Sequence, residues 1–80
     1  MTNLDEQRFL QQVGFRVREL RTARGWTQAQ LAEHCGLHRT FIGSVERGER
    51  NIAILNLRLI AAALRASVQD FFSEPHTPAE

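Results

Sequence analysis

The sequence predicts an all-α fold, a compact bundle of five short helices. Three observations carry that prediction. Apolar residues recur at helical spacing through most of the 80 residues, while strand-like alternation is nearly absent. Capping residues and glycines punctuate these stretches where helices would start and stop. With 42% hydrophobic and 24% charged residues, the composition is that of a globular chain rather than a disordered one. A chain of this length forms one domain and buries only about 60% of the surface its unfolded form exposes. The domain is expected over residues 1–73, followed by a disordered tail over 74–80 that holds two prolines and little to bury.

The first helix is predicted from about Leu4 to Arg24, with Phe9, Val13, Val17 and Leu20 on one face. Asn3 is its N-cap, Asp5 and Glu6 suit the positive end of its dipole, and Gly25 ends it. Gly14 inside this helix costs about 1 kcal/mol relative to alanine, which points to close packing there. The second helix opens with Thr27-Gln-Ala-Gln30, a capping box in which Thr27 and Gln30 satisfy each other's backbone amides. Leu31, Ala32 and Cys35 form its inward stripe, and Gly36 stops it.

A third helix is expected from His38 or Arg39 to Glu46, with Ile42 and Val45 inward and Gly48 after its end. A helical wheel then places Thr40, Gly43, Ser44 and Arg47 outward, with Arg39 and Phe41 on the flanks. The fourth helix, about Ile54 to Leu64, buries Leu57, Ile60, Ala61 and Leu64. The fifth is short, about Val68 to Ser73, with Ser67 and Asp70 forming a weaker capping box. Trp26 reads as a lid between the first two helices. Phe71 and Phe72 are adjacent, so one core cannot bury both; Phe71 is assigned inward and Phe72 is left over.

Charge is distributed unevenly. All ten basic residues are arginines between Arg8 and Arg65, against four acids in the same stretch, a local charge of +6 within a net charge of +1. A basic middle between acidic ends suits a partner that is a polyanion. The outward face of the third helix is polar, short-chained and nearly free of acids, as a helix lying in a DNA major groove requires. Arg8, Arg16 and Arg18 on the first helix read as solvated. Arg24 lies close enough to the second helix to assist a phosphate contact.

Other chemistries find little support. His34, Cys35 and His38 invite a metal reading, but Gly36 interrupts them, Cys35 faces inward, and a fourth ligand would have to be His76 in the tail. No metal or other cofactor is therefore assigned. No acid pair, catalytic triad or phosphate-binding loop marks an enzyme. No apolar run approaches the ~20 residues that span a bilayer, and the single cysteine excludes an internal disulfide and fits the cytoplasm.

The stretch Thr27-Gln-Ala-Gln-Leu-Ala-Glu-His-Cys-Gly-Leu-His-Arg-Thr-Phe-Ile-Gly-Ser-Val-Glu-Arg-Gly48 resembles the helix–turn–helix of the Cro/phage-repressor-like (XRE) family. The resemblance extends from about Val13 to Phe72 and implies a lambda-repressor-like DNA-binding domain. More narrowly, residues 38–52 resemble the small controller proteins that regulate restriction–modification operons. It implies that Arg39 and Thr40 read bases, aided by Phe41 and Ser44, and that Gln28, Arg50 and Asn51 meet the DNA backbone. Glu46 and Arg21 correspond to an internal salt bridge that orients the reading helix. The sequence departs from the family at Ala53, where a capping Ser or Thr is common, at Arg65, where glycine is usual, and at Phe41, where controllers usually carry tyrosine. The link at Arg65 is thus expected to take a different geometry.

The function implied is transcriptional regulation by a homodimer on a palindromic operator in double-stranded DNA, with half-sites about one helical turn (~34–36 Å) apart. One module of roughly 600–1,000 Å² is too small for tight selective binding alone, hence the dimer. Its interface is expected at Phe72, Val68 and Leu64. The controller resemblance implies an operator upstream of its own gene, activation at low occupancy with RNA polymerase as a partner, and repression at high occupancy. The rival reading is an antitoxin-type or other small repressor acting through a protein partner. The seven residues after the fifth helix are too few for the wrapping extension that antitoxins carry.

Overall fold

A computed structural model describes residues 3–72. It contains α1 (Leu4–Ala23), α2 (Gln28–Cys35), α3 (Arg39–Glu46) and α4 (Ile54–Leu64), closed by a 3₁₀ helix at Val68–Phe71. The expected fifth helix is therefore a single 3₁₀ turn. It is too short to pay the nucleation cost of an α-helix, and the fully buried Phe71 ring anchors it, a burial worth about 1.5–3 kcal/mol. Ser73 and the tail predicted over 74–80 lie outside the described residues.

Local signals set the helix ends. Asn3 and Glu6 form a reciprocal capping box on α1, with the Glu6 amide donating to Asn3 Oδ1 at 2.8 Å. Thr27 and Gln30 do the same on α2, at 3.1 and 2.8 Å. Gly25, Gly36 and Gly48 all take positive φ just past helix ends. Ala53 provides no side-chain cap for α4.

Arg65 does not take the different geometry expected of it. It adopts the left-handed conformation, φ 55° and ψ 40°, and its N–H reaches the carbonyls of Ala61 and Ala62. The helix-ending hydrogen bonds outweigh the Cβ crowding of an L-residue there. Arg65→Gly is therefore expected to stabilise the domain by about 1 kcal/mol, and thermal denaturation would record a melting temperature higher by about 4–8 °C. A lower melting temperature would contradict the strain assigned to this residue.

The core combines Val13 and Val17 of α1 with Leu31, Ala32 and Cys35 of α2, Ile42 and Val45 of α3, and Leu57, Ile60, Ala61 and Leu64 of α4, together with Phe71. Phe9 is the exception to the inward face predicted for α1: about half its surface is exposed and it stacks on Phe72, with ring centroids 5.8 Å apart. The 20 residues of α1 run about 30 Å, far longer than the eight-residue α2 and α3, so its first turns extend to the margin of the core. Burial pushes the Cys35 thiol up from its ordinary 9.0 to about 11, which keeps it protonated and unreactive.

The crossing of α1 and α3 is set at Gly14. A Cβ there would lie 2.6 Å from the Glu46 carbonyl oxygen and would also strike that of Val45. The two backbones therefore touch directly.

Candidate nucleic-acid interface

The turn between α2 and α3 is built to hold α3 at a fixed angle. Gly36 is left-handed at φ 71°, and the Leu37 amide donates to the Ala32 carbonyl at 3.0 Å, closing the end of α2. Leu37 then packs partly into the core. His38 caps α3 through Nδ1, which accepts the Thr40 amide at 3.2 Å. Histidine is a weak sequence signal for an N-cap, so this role was not legible in advance.

On α3, Ile42 and Val45 point into the core, leaving Arg39 and Thr40 exposed at its start. Phe41 is half-buried beneath the Arg50 guanidinium, which lies 5.1 Å from the ring centroid. Ser44 is half-buried and its hydroxyl donates to the Phe41 carbonyl at 2.8 Å. Gly43, placed outward by the helical wheel, is buried. A Cβ there would meet Arg47 Nη1 at 3.1 Å and Gln28 Oε1 at 3.3 Å, so two neighbouring side chains fold over the bare backbone. Arg50 and Asn51 stand exposed in the loop after α3.

Behind the exposed face of α3 lies a polar lock. Arg21 grips Glu46 with two hydrogen bonds, Nε to Oε2 at 2.6 Å and Nη2 to Oε1 at 3.0 Å. Arg21 Nη1 also donates to the Trp26 carbonyl at 2.7 Å. Gln28 Nε2 donates to Glu46 Oε1 at 3.0 Å, so this one carboxylate ties α1 and α2 to α3. The side chains of Arg21 and Glu46 are only 11% and 3% exposed. The hydrogen bond to Glu46 outweighs the cost of burial and raises the Arg21 pKa further above its ordinary value.

Two of the assigned side chains have partners within the domain. Arg24, expected at a phosphate, is exposed, and its guanidinium turns to the end of α4. Its guanidinium lies 4.7 Å from the Trp26 ring centroid, and Nη1 donates to the Leu64 carbonyl at 3.4 Å. An aromatic face and a helix-terminal carbonyl hold the cation there. Leu64, assigned to the dimer interface, is 4% exposed and belongs to the core. Its position on α4 points at Leu57, Ile60 and Ala61's side of the helix, so it is spent on packing. Val68 is half-buried and packed against the same core, whereas Phe72 is 42% exposed.

The histidines and cysteine are separately engaged. His34 stacks on Trp26 at 4.1 Å, Cys35 is buried, and His38 serves the α3 cap. Among the described residues no group of three or more such side chains could hold a metal ion, and no helix is long and apolar enough to cross a membrane. His76 lies outside the described residues.

Comparison with known proteins places these features in context. A helix–turn–helix family model, HTH_3, matches residues 17–71. Over 52 residues the chain is 54% identical to the control protein C.SmaI of Serratia marcescens, a match spanning 65% of this chain and 62% of that protein. It is 40% identical over 58 residues to the control protein C.BamHI of Bacillus amyloliquefaciens, covering 71% and 72% of the two chains. The crystal structure of the restriction–modification controller protein C.AhdI from Aeromonas hydrophila superposes with a TM-score of 0.77 at 44% identity, covering 79% of this chain and 96% of that one.

Proposed function

The chain belongs to the XRE-type helix–turn–helix family of DNA-binding transcription regulators, and from that premise we propose that it is a homodimeric controller of a restriction–modification operon that includes its own gene. The observation that carries this reading is the pairing of exposed Arg39 and Thr40 at the start of α3 with a rear face locked by Glu46. Each subunit inserts α3 into a major groove, and a palindromic operator matches the two-fold axis. Arg39 donates to guanine O6 and N7, Thr40 and the Phe41 ring meet neighbouring bases, and Ser44 follows one turn later. Gln28, Arg50 and Asn51 meet the backbone on either side. Low occupancy activates through RNA polymerase and high occupancy represses, in the cytoplasm.

Footprinting the DNA upstream of its own gene tests the reading. On the protected site, Arg39→Ala is expected to lose about 1–3 kcal/mol of discrimination at one guanine while folding normally, since Arg39 is exposed. Equal losses on this site and on random DNA would remove Arg39 from base reading.

The dimer uses the apolar margin where Phe72 stacks on Phe9, beside exposed Ile54 at the start of α4. A solvent-facing aromatic pair is the kind of anchor on which interfaces depend. Sedimentation across a concentration series should show Phe72→Ala raising the dimer dissociation constant more than about tenfold. An equally tight dimer would move the interface to another exposed ring such as Phe15.

A further inference from the structure

Beside the reading helix, α1 and the end of α3 enclose a cleft of about 310 Å³ lined by Arg18, Arg21, Gln28, Glu46 and Arg47. Three guanidinium groups face one carboxylate in it. That carboxylate is already saturated: Glu46 accepts two bonds from Arg21 and one from Gln28. Two cations are thus left in excess. Among the described residues the Arg18 guanidinium has no hydrogen-bond or ion-pair partner. Among the described residues Arg47 pairs only with Glu49, at 3.1 Å, with both side chains more than half exposed. Such a pair contributes little to stability, so an incoming anion displaces the carboxylate at small cost.

The position of Arg47 has a structural cause. Gly43 has no side chain, and Arg47 Nη1 folds over it towards Gln28. A methyl group at that position would make the guanidinium give way by a few tenths of an ångström. The cleft therefore holds two fork-shaped donors, on α1 and just past α3, with a neutralised floor between them. Guanidinium forks match the paired oxygens of a phosphodiester.

We propose that Arg18 and Arg47 together clamp one phosphodiester of the DNA backbone, and that Glu49 occupies Arg47 in the unbound protein and is displaced on binding. The proposal rests on the DNA-binding reading above and adds two contacts to it. These contacts position α3 without reading sequence, because every base step presents the same phosphate. Glu49 acts as an internal competitor that lowers the affinity for DNA in general.

The test uses the full chain and a mixed-sequence DNA duplex across a salt series. Arg18→Gln and Arg47→Gln are each expected to weaken binding roughly five- to tenfold near 0.1 M salt and to reduce the slope of log affinity against log salt by about 0.9. Their melting temperatures should stay at the wild-type value, since both side chains lie on the exposed surface. Glu49→Gln should bind at least about twofold tighter, and that gain should vanish in Arg47→Gln/Glu49→Gln. Wild-type slopes in both arginine variants would overturn the clamp. A Glu49→Gln gain that persists without Arg47 would overturn the competitor role. If the wild-type protein shows no salt-dependent binding to the duplex, the DNA-binding reading itself falls, an outcome distinct from either.

Discussion

Glu46→Gln is expected to lower stability by about 3 kcal/mol or more, as removing one partner of a buried ion pair does. For a domain of this size that corresponds to a fall in melting temperature of about 12 °C or more. The physical cause is the charge left behind. Arg21, whose side chain is 11% exposed, would keep only the Trp26 carbonyl as an acceptor of comparable quality. A neutral carboxamide supplies one oxygen where the carboxylate receives three donors. The folded fraction should still discriminate its operator from random DNA, because Glu46 sits behind α3 and its side chain is buried. Thermal denaturation of Glu46→Gln, Arg21→Gln and the double variant measures the coupling, and the double variant should lose less than the two singles together. An unchanged melting temperature in Glu46→Gln would refute the role given to this network.

Gly14→Ala is expected to cost about 2 kcal/mol or more, although alanine is the better helix former by about 1 kcal/mol. The added methyl would sit 2.6 Å from the Glu46 carbonyl oxygen and 2.8 Å from its carbon. These are backbone atoms with no rotamer to change, so α3 must move away from α1. That displacement also pulls at the Arg21–Glu46 pair and re-aims Arg39 and Thr40, so operator affinity should fall with stability. Urea titration would show a lower midpoint with an unchanged slope. A variant as stable as wild type would mean that α1 and α3 do not approach this closely.

Much of the fold was legible because its signals are local. The Thr27–Gln30 capping box lies within one turn, and the link from the Leu37 amide back across Gly36 to Ala32 spans only five residues. Val13, Val17, Leu31, Ala32, Cys35, Ile42 and Val45 follow helical periodicity into the core. The exposure of Arg39 and Thr40 follows from the same periodicity, since Ile42 and Val45 already claim the inward face of α3.

Periodicity fails where a neighbour distant in sequence decides the outcome. Gly43 lies on the outward side of a wheel, but Gln28 of α2 covers it together with Arg47 one turn further on. Arg24 lies near α2 in the chain, yet the Trp26 ring and the Leu64 carbonyl draw its guanidinium to the end of α4. Phe9 shares the face of Val13 and Val17 but falls at the margin of the core, where Phe72 meets it.

What the sequence by itself determined was the order and ends of the four α-helices, most of their inward stripes and the exposed start of α3. These depend on hydrogen bonds and side-chain spacing within a few residues of one another. Only the tertiary structure decided that Glu46 receives Arg21 and Gln28 together, that the close packing at Gly14 is against the α3 backbone at Val45 and Glu46, and that Arg18 and Arg47 share a cleft. Each of these joins helices whose crossing is set by packing, and long polar side chains turn wherever the packed neighbours offer a partner.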